Sequence, residues 1–200
     1  MWGTAGNLSI RTKSDPLEFA ITPSGVNKGH LSAKTLVTIN QSNSRPEAKR
    51  MGNALSPSAE TVIHEAIYRA VPGAGAVFHV HPMYATLISS FYGHPKEKRI
   101  LKIDWFEMLK GVGIGEDESA EVAIFPNWQD VSKIARDVSE HVRTTAKAIP
   151  AVLIYNHGLT GWGTTPDQAR NHLEIMEYVC QYLYLRRMSG EAGHQKSGLP

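Results

Sequence analysis

The chain has 200 residues, with 21 Lys and Arg against 19 Asp and Glu, so its formal net charge at pH 7 is +2. A protein that binds nucleic acid through its phosphates usually has a clustered excess of basic residues, so this near balance argues against a nucleic-acid partner. A hydrophobic fraction of 42% at this length is typical of one globular domain with a sizeable core.

Neither a membrane span nor a disulfide is expected. The longest apolar stretches, such as residues 148–155, contain only about eight residues, whereas a membrane-spanning helix needs roughly 20. Cys180 is the single cysteine, and the first residues lack the pattern of a secretory leader. We therefore expect a cytoplasmic protein with no membrane partner.

Hydrophobic periodicity and turn residues predict an α/β fold. Short extended runs over the first 40 residues predict a β meander, with strands at 7–11, 18–21 and 36–39. Further strands are predicted at 75–81, 99–103, 121–125 and 151–155. Helices are predicted from Ser58, the candidate N-cap, and at 83–91, 129–144 and 166–187, with a helical turn at 106–110. These elements predict one α/β sandwich around a mixed sheet, formed by residues 1–188 and followed by a polar tail at 189–200.

Three histidines are candidates for a metal site. His79 and His81 are two positions apart in a predicted strand, so both imidazoles project from the same face. His157 follows the end of another apolar strand, where the sites of α/β proteins are often built. Three neutral imidazoles that leave one coordination position open are typical of catalytic zinc. Hydrogen-bonded histidines without a metal remain the alternative.

Two glutamates are candidate catalytic acids. Glu60 lies in the first turn of a predicted helix, where a carboxylate can also serve only to stabilise the helix dipole. Glu107 lies between large apolar residues, which would raise its pKa and suit it to general acid catalysis. An exposed position on an amphipathic turn is the alternative for Glu107.

Two loops of small residues could hold an anion. Residues 3–7 and 22–25 offer backbone N–H groups and hydroxyls in tight turns, and Lys28 follows the second loop closely. Ser58 at a helix N-terminus offers a further donor. Ordinary turns remain the alternative for both loops.

Five segments in this order resemble the class II aldolase/adducin family: Gly3-Thr4-Ala5-Gly6-Asn7-Leu8-Ser9, Ile21-Thr22-Pro23-Ser24-Gly25, Pro57-Ser58-Ala59-Glu60, His79-Val80-His81 and His157-Gly158-Leu159. The resemblance covers residues 3–187. It implies a class II aldolase-like α/β/α sandwich with a mixed, largely antiparallel sheet, and a homotetramer. It also implies a small sugar-phosphate substrate and one Zn²⁺ per subunit, held by His79, His81 and His157. The phosphate contacts of the aldolases would fall on Thr4, Gly6, Asn7, Ser24, Gly25 and Ser58.

Within the family, the stretch Phe106-Glu107-Met108-Leu109-Lys110-Gly111 resembles a branch of sugar-phosphate dehydratases. In that branch the acid/base carboxylate corresponds to Glu107, whereas in the aldolases it corresponds to Glu60. Glu107 is favoured, and an aldolase, a pentulose-phosphate 4-epimerase and a non-catalytic adducin-like domain remain alternatives. Family members have a helical segment before the first loop, and we expect this segment to be missing from the 200 residues.

Overall fold

Eight strands and four α-helices make up the described part of the chain, which in this computed structural model comprises residues 5–27, 32, 35–40, 55–104, 106–115, 118–146 and 148–190. The strands are β1 (Asn7–Lys13), β2 (Glu18–Ile21), β3 (Val37–Ile39), β4 (Ala76–Val80), β5 (Arg99–Ile103), β6 (Ala120–Phe125), β7 (Ala151–Ile154) and β8 (Gly158–Gly163). The helices are α1 (Thr61–Ala70), α2 (Met83–Tyr92), α3 (Val131–Thr144) and α4 (Pro166–Met188), and a 3-10 helix spans Glu107–Val112.

All eight strands belong to one sheet in the order β3-β2-β1-β4-β8-β7-β6-β5. Only the β6–β7 pair is parallel, so the sheet is mixed and largely antiparallel, as the sequence and the resemblance predicted. Side chains alternate between its faces, as β6 shows: Val122 and Ile124 pack with α2 and α4, whereas Ala123 and Phe125 pack with α1 and α3. The result is a sheet between two helical layers, which confirms the α/β/α sandwich.

Strand β8 was missed by the sequence analysis, which ended the extended structure near residue 155. Its sequence GLTGWG contains three glycines, and glycine is depleted in strands. Close packing requires at least two of them. A Cβ on Gly161 would lie 2.7 Å from Cδ2 of Leu173, and one on Gly163 would lie 2.5 Å from the backbone nitrogen of Ala169. Helix α4 can therefore pack directly on the backbone of β8.

Helix α1 begins at Thr61, two residues later than a helix capped by Ser58 would begin, so Ser58 is not its N-cap. The carbonyl of Ser58 accepts a hydrogen bond from the N–H of Thr61 at 3.1 Å, which forms a turn ahead of the helix. Glu60 occupies the N-cap position, but its side chain makes no capping hydrogen bond. The Glu60 carboxylate is therefore available for other contacts.

None of the helices in the described ranges is long and apolar enough to cross a bilayer. The proposed tail falls largely at residues 191–200, which lie outside the described part, and α4 ends at Met188.

Candidate metal centre and active site

The centre of the sheet positions the first two histidines. His79 lies on β4, where it pairs with Asn7 of β1 on one side and with Thr160 of β8 on the other. His79 is 1% exposed, and His81 follows the last residue of β4 and is exposed. Their Nε2 atoms are 2.9 Å apart, which confirms that the two imidazoles project to the same side.

His157 lies in the tight turn that joins β7 to β8. Asn156, the preceding residue, has a φ of 51°, and the N–H of His157 donates to the carbonyl of Ile154 at 3.1 Å. This turn brings the His157 ring to 4.9 Å from the ring of His79 and 4.7 Å from that of His81, measured between centroids. The three imidazoles thus converge, although His157 is distant from the other two in sequence.

Glu60 completes the cluster. Its Oε1 atom lies 3.3 Å from Nε2 of His79 and 3.2 Å from Nε2 of His157, and its side chain is 14% exposed. Its Oε2 atom accepts a hydrogen bond of 2.5 Å from Nδ2 of Asn7. Glu60 is therefore held at the histidines from its position just before α1.

Burial and neighbouring groups set the charge state of this cluster. Burial by itself would raise the pKa of Glu60, but the hydrogen bond from His157, the proximity of His79 and the hydrogen bond from Asn7 lower it to about 2. Burial lowers the pKa of His79 and of His81, so both are neutral at pH 7. One carboxylate with neutral imidazoles is the protonation state in which these groups bind a metal ion.

The donor set fits a divalent metal such as zinc. One ligand atom from each of Glu60, His79, His81 and His157 lies within 4.8 Å of the other three. The neighbouring donors are separated by 2.9 to 3.3 Å, and tetrahedral zinc with bonds of about 2.1 Å separates its ligands by roughly 3.4 Å. Nδ1 of His79 lies 2.8 Å from the hydroxyl oxygen of Thr160, an outer partner of the kind that orients metal-binding histidines.

The residues proposed to hold phosphate are brought together only in part. Asn7 is 3% exposed and its Nδ2 donates to Ser58 at 3.1 Å as well as to Glu60. The N–H of Ser24 donates to the carbonyl of Ser56 at 2.9 Å, which places the exposed Ser24–Gly25 turn beside the segment that leads to Ser58. Gly6 and Gly25 have φ angles of 76° and 73°, so both turns use the left-handed conformation that favours glycine. Thr4 and Lys28 lie outside the described residues.

Glu107 is not part of the histidine cluster. It is the first residue of the 3-10 helix, its side chain is 85% exposed, and its Oε1 lies 3.5 Å from Nζ of Lys110. The apolar enclosure expected from its neighbours is therefore wrong for this chain, because Met108 is exposed and Leu109 turns inward to the core. Glu107 borders an open groove with Phe106, Ile175 and Tyr178.

Sequence reasoning missed two buried groups that support the cluster, Thr160 and His64. Thr160 lies on the unpredicted strand β8, so no pattern placed it beside His79. His64 was not among the candidate site residues, yet it is fully buried, its Nε2 lies 2.6 Å from Oδ1 of Asn7, and burial lowers its pKa to about 4. The sequence signal that could have identified His64 is the presence of a histidine on the apolar face of α1.

The chain belongs to the class II aldolase/adducin family. The family described as "Class II Aldolase and Adducin N-terminal domain" matches residues 1–184. A solved structure from Thermus thermophilus, an L-fuculose-1-phosphate aldolase, has 27% sequence identity and a TM-score of 0.69, and the match covers 96% of this chain and 87% of that one.

Three named relatives are more similar in sequence to this chain than that aldolase is. A methylthioribulose-1-phosphate dehydratase from Microcystis aeruginosa is 41% identical over 92% of this chain and 86% of its own length. A protein of the same name from Geobacillus kaustophilus is 34% identical over 100% of this chain and 88% of its own length. A probable bifunctional methylthioribose-1-phosphate isomerase/methylthioribulose-1-phosphate dehydratase from Nocardia farcinica is 42% identical over 90% of this chain, which spans 32% of that protein.

Proposed function

We propose that this chain is a zinc-dependent lyase that dehydrates 5-methylthioribulose 1-phosphate to 2,3-diketo-5-methylthiopentyl 1-phosphate in the methionine salvage pathway. One combined observation carries the proposal. A carboxylate and three histidines converge in a chain that is 41% identical, over most of its length, to a dehydratase of this substrate.

His79, His81 and His157 would hold one Zn²⁺ per subunit, which leaves the fourth coordination position, beside Glu60, open to the substrate. When bound, the metal would supply Lewis acidity toward the carbonyl and hydroxyl oxygens of the sugar. The spacing of the donor atoms and the neutral state of His79 support this assignment. The solvent-accessible position of His81 leaves the cluster open on one side for a small molecule.

The elimination needs two proton transfers: a proton leaves C3, and the C4 hydroxyl is protonated as it departs as water. The C3–C4 enol that remains becomes the 2,3-diketone when its C3 hydroxyl loses a proton and C4 gains one. We assign the acid/base role to Glu107, which resembles the carboxylate of the dehydratase branch, and we assign Glu60, which contacts His79 and His157, as a charged partner of the histidines. An aldolase-type role for Glu60 is the alternative assignment.

The other end of the substrate would be held by the small-residue turns. We assign phosphate binding to Gly6, Ser24, Gly25, Asn7 and Ser58, with Thr4 and Lys28 as further contacts. Both turns have a glycine in the left-handed conformation, which supports this assignment because such turns can direct successive N–H groups to an anion. Binding energy at the phosphate would then align C3 and C4 for reaction.

We also propose that the protein is a cytoplasmic homotetramer. Large apolar side chains are exposed along α2 and α4 and support assembly through these helices: Phe91, Tyr92, Tyr178, Tyr182, Leu185 and Met188. Light scattering on the purified protein would measure the number of subunits, and a monomer would rule out the tetramer.

A class II sugar-phosphate aldolase or a pentulose-phosphate 4-epimerase is the second candidate. The contact of Glu60 with His79 and His157 favours it, because Glu60 corresponds to the acid/base residue of the aldolases. A non-catalytic adducin-like domain is disfavoured, since a scaffold has no need of a three-histidine cluster. Zinc content near zero in freshly purified protein would favour that third interpretation.

A substrate panel separates these functions. Zinc-loaded protein is incubated with 5-methylthioribulose 1-phosphate, L-fuculose 1-phosphate, L-rhamnulose 1-phosphate and ribulose 5-phosphate. We expect the diketone to form from the first and no cleavage or epimerisation of the others. Turnover of another sugar phosphate without diketone formation would contradict the proposal.

Matched glutamine variants assign the acid. We expect Glu107→Gln to abolish dehydration while zinc content is retained, and Glu60→Gln to lower both. Glu174→Gln, at an exposed position of α4, is the control and should behave as the unmodified protein. A normal rate for Glu107→Gln would remove that residue from the mechanism.

A further inference from the structure

A continuous chain of buried hydrogen bonds leads from the candidate metal centre into the core. It runs from Glu60 to Asn7 at 2.5 Å, from Asn7 to His64 at 2.6 Å and from His64 to Ser9 at 2.7 Å. The Ser9 hydroxyl then lies 2.8 Å from that of Tyr68. Asn7, Ser9, His64 and Tyr68 are each at most 3% exposed, so water does not compete for these bonds.

The charge of Glu60 determines the direction of the first two bonds. An ionised carboxylate can only accept hydrogen bonds, so the NH₂ group of Asn7 must face Glu60. The carbonyl oxygen Oδ1 of Asn7 then faces Nε2 of His64 and needs a donor there. A neutral imidazole carries one N–H, and His64 must therefore carry it on Nε2.

The remaining protons follow from that tautomer. Nδ1 of His64 has no hydrogen and accepts from the Ser9 hydroxyl, which uses its only hydrogen in this bond because the carbonyl of Val77 lies farther away, at 3.4 Å. The Ser9 oxygen then accepts from the hydroxyl of Tyr68. Burial raises the pKa of Tyr68 to about 12, so this hydroxyl keeps the proton that it donates.

We infer that His64 is a positioning residue whose Nε2–H holds the carboxamide of Asn7 with its NH₂ group toward Glu60, and thereby fixes the direction of the Glu60 carboxylate at the three histidines. Without this donor, the Asn7 carboxamide loses the hydrogen bond to its Oδ1 that favours this orientation. A reversed carboxamide would point its oxygen at the Glu60 carboxylate, and the two acceptors would repel each other. The effect on catalysis rests on the proposed function, whereas the tautomer and the orientation of Asn7 do not.

Two observations distinguish this role from simple packing. His64 and Tyr68 lie one turn apart on α1, whereas Asn7 and Ser9 lie two positions apart on β1, so both pairs present polar groups to the same interface. An apolar residue at any of these positions would leave a buried polar partner unsatisfied. The hydrogen bonds also end on Glu60, the one carboxylate of the histidine cluster among the described residues.

Nitrogen-15 NMR of the zinc-loaded protein tests the tautomer directly. We expect His64 to show a protonated Nε2 and an unprotonated Nδ1 between about pH 6 and about pH 8. A proton on Nδ1 would overturn the inference. This measurement needs no substrate and no variant, so it stands even if the chain fails to dehydrate the proposed sugar.

Two substitutions test the effect on the metal centre. The amide nitrogen of glutamine can occupy the place of Nε2, whereas that of asparagine reaches only the place of Nδ1. We expect the zinc affinity, measured against a competing chelator, to fall about 10-fold in His64→Asn and to stay within about 2-fold in His64→Gln. His172→Asn replaces a buried histidine outside this chain of bonds and should leave zinc affinity unchanged.

The inference would be overturned if zinc affinity fell equally in His64→Asn and His64→Gln, or did not fall in His64→Asn. Either result would show that zinc affinity does not depend on a donor at the place of Nε2. Denaturation curves identify a variant that does not fold, and the NMR measurement then decides alone. If the unmodified protein shows the expected tautomer and zinc affinities but no dehydration, the proposed function fails and the inference about His64 and Asn7 remains.

Discussion

The Oε1 atom of Glu60 lies 3.2 Å from Nε2 of His157, although one residue precedes α1 and the other lies in the turn between β7 and β8. This contact joins opposite halves of the chain at the centre of the sheet. It depends on the position of β4 between β1 and β8, which places Asn7 and Thr160 on either side of His79.

Thr160→Val should weaken zinc binding. The substitution keeps the shape of the side chain but removes the hydroxyl at 2.8 Å from Nδ1 of His79, so a buried ring nitrogen loses its partner. We expect zinc affinity to fall roughly 10- to 100-fold, as for other outer partners of metal-binding histidines. Chelator competition measures it, with Thr144→Val on α3 as the control. Unchanged affinity would show that the hydroxyl does not orient His79.

Gly158→Ala should disrupt the cluster. A Cβ at this position would collide with the carbonyl oxygen of Val80 and lie 2.8 Å from Cδ2 of His81, so the end of β4 would have to move. We expect zinc content to fall well below that of the unmodified protein, as measured by elemental analysis. Gly73→Ala is the matched control, because a Cβ there meets nothing within 4 Å. Full zinc retention in Gly158→Ala would contradict the close approach.

Glu177→Gln should destabilise the start of α2. The Glu177 carboxylate on α4 accepts hydrogen bonds from the backbone N–H groups of Tyr84 and Ala85, at 3.0 and 2.8 Å, where α2 has no capping side chain of its own. Glutamine retains one acceptor, so we expect a loss of about 1 kcal/mol in the free energy of unfolding. Urea denaturation measures the loss, and Glu174→Gln, on the same helix, should show almost none.

The free energy of unfolding should decrease on mild acidification because of His64. Burial lowers its pKa from 6.5 to about 4, so the unfolded chain binds the proton more tightly than the folded chain. The stabilisation is complete above about pH 6.5 and is lost as the pH falls toward 4, by roughly 2 kcal/mol between about pH 7.5 and about pH 5.

The His64→Gln variant should lack this contribution. Its decrease in free energy of unfolding over that range is expected to be smaller than that of the unmodified protein by the same amount, with both proteins free of metal. His94→Gln, which removes an exposed histidine, is the control and should follow the unmodified protein. Parallel pH profiles for His64→Gln and the unmodified protein would disprove the assignment.

The sequence by itself determined most of the elements and part of the site. Period-two spacing was sufficient to put His79 and His81 on one side of a strand, and helical periodicity placed α2, α3 and α4 within a few residues of their ends. These patterns are local, because side-chain direction within one strand or helix depends only on its backbone geometry.

Only the tertiary structure decided which distant residues meet. Strand β8 has a glycine-rich sequence that resembles a loop, and it becomes a strand because it pairs with β4 and β7, while its glycines allow α4 to pack on its backbone. That strand supplies Thr160 and sets the turn that carries His157. The sequence also left the contacts of the Glu60 side chain undetermined, since a carboxylate just before a helix can cap that helix or turn away from it. Here it turns to the histidines, because Asn7 and the buried chain behind it hold it there, and such pairings depend on sheet order rather than on local sequence.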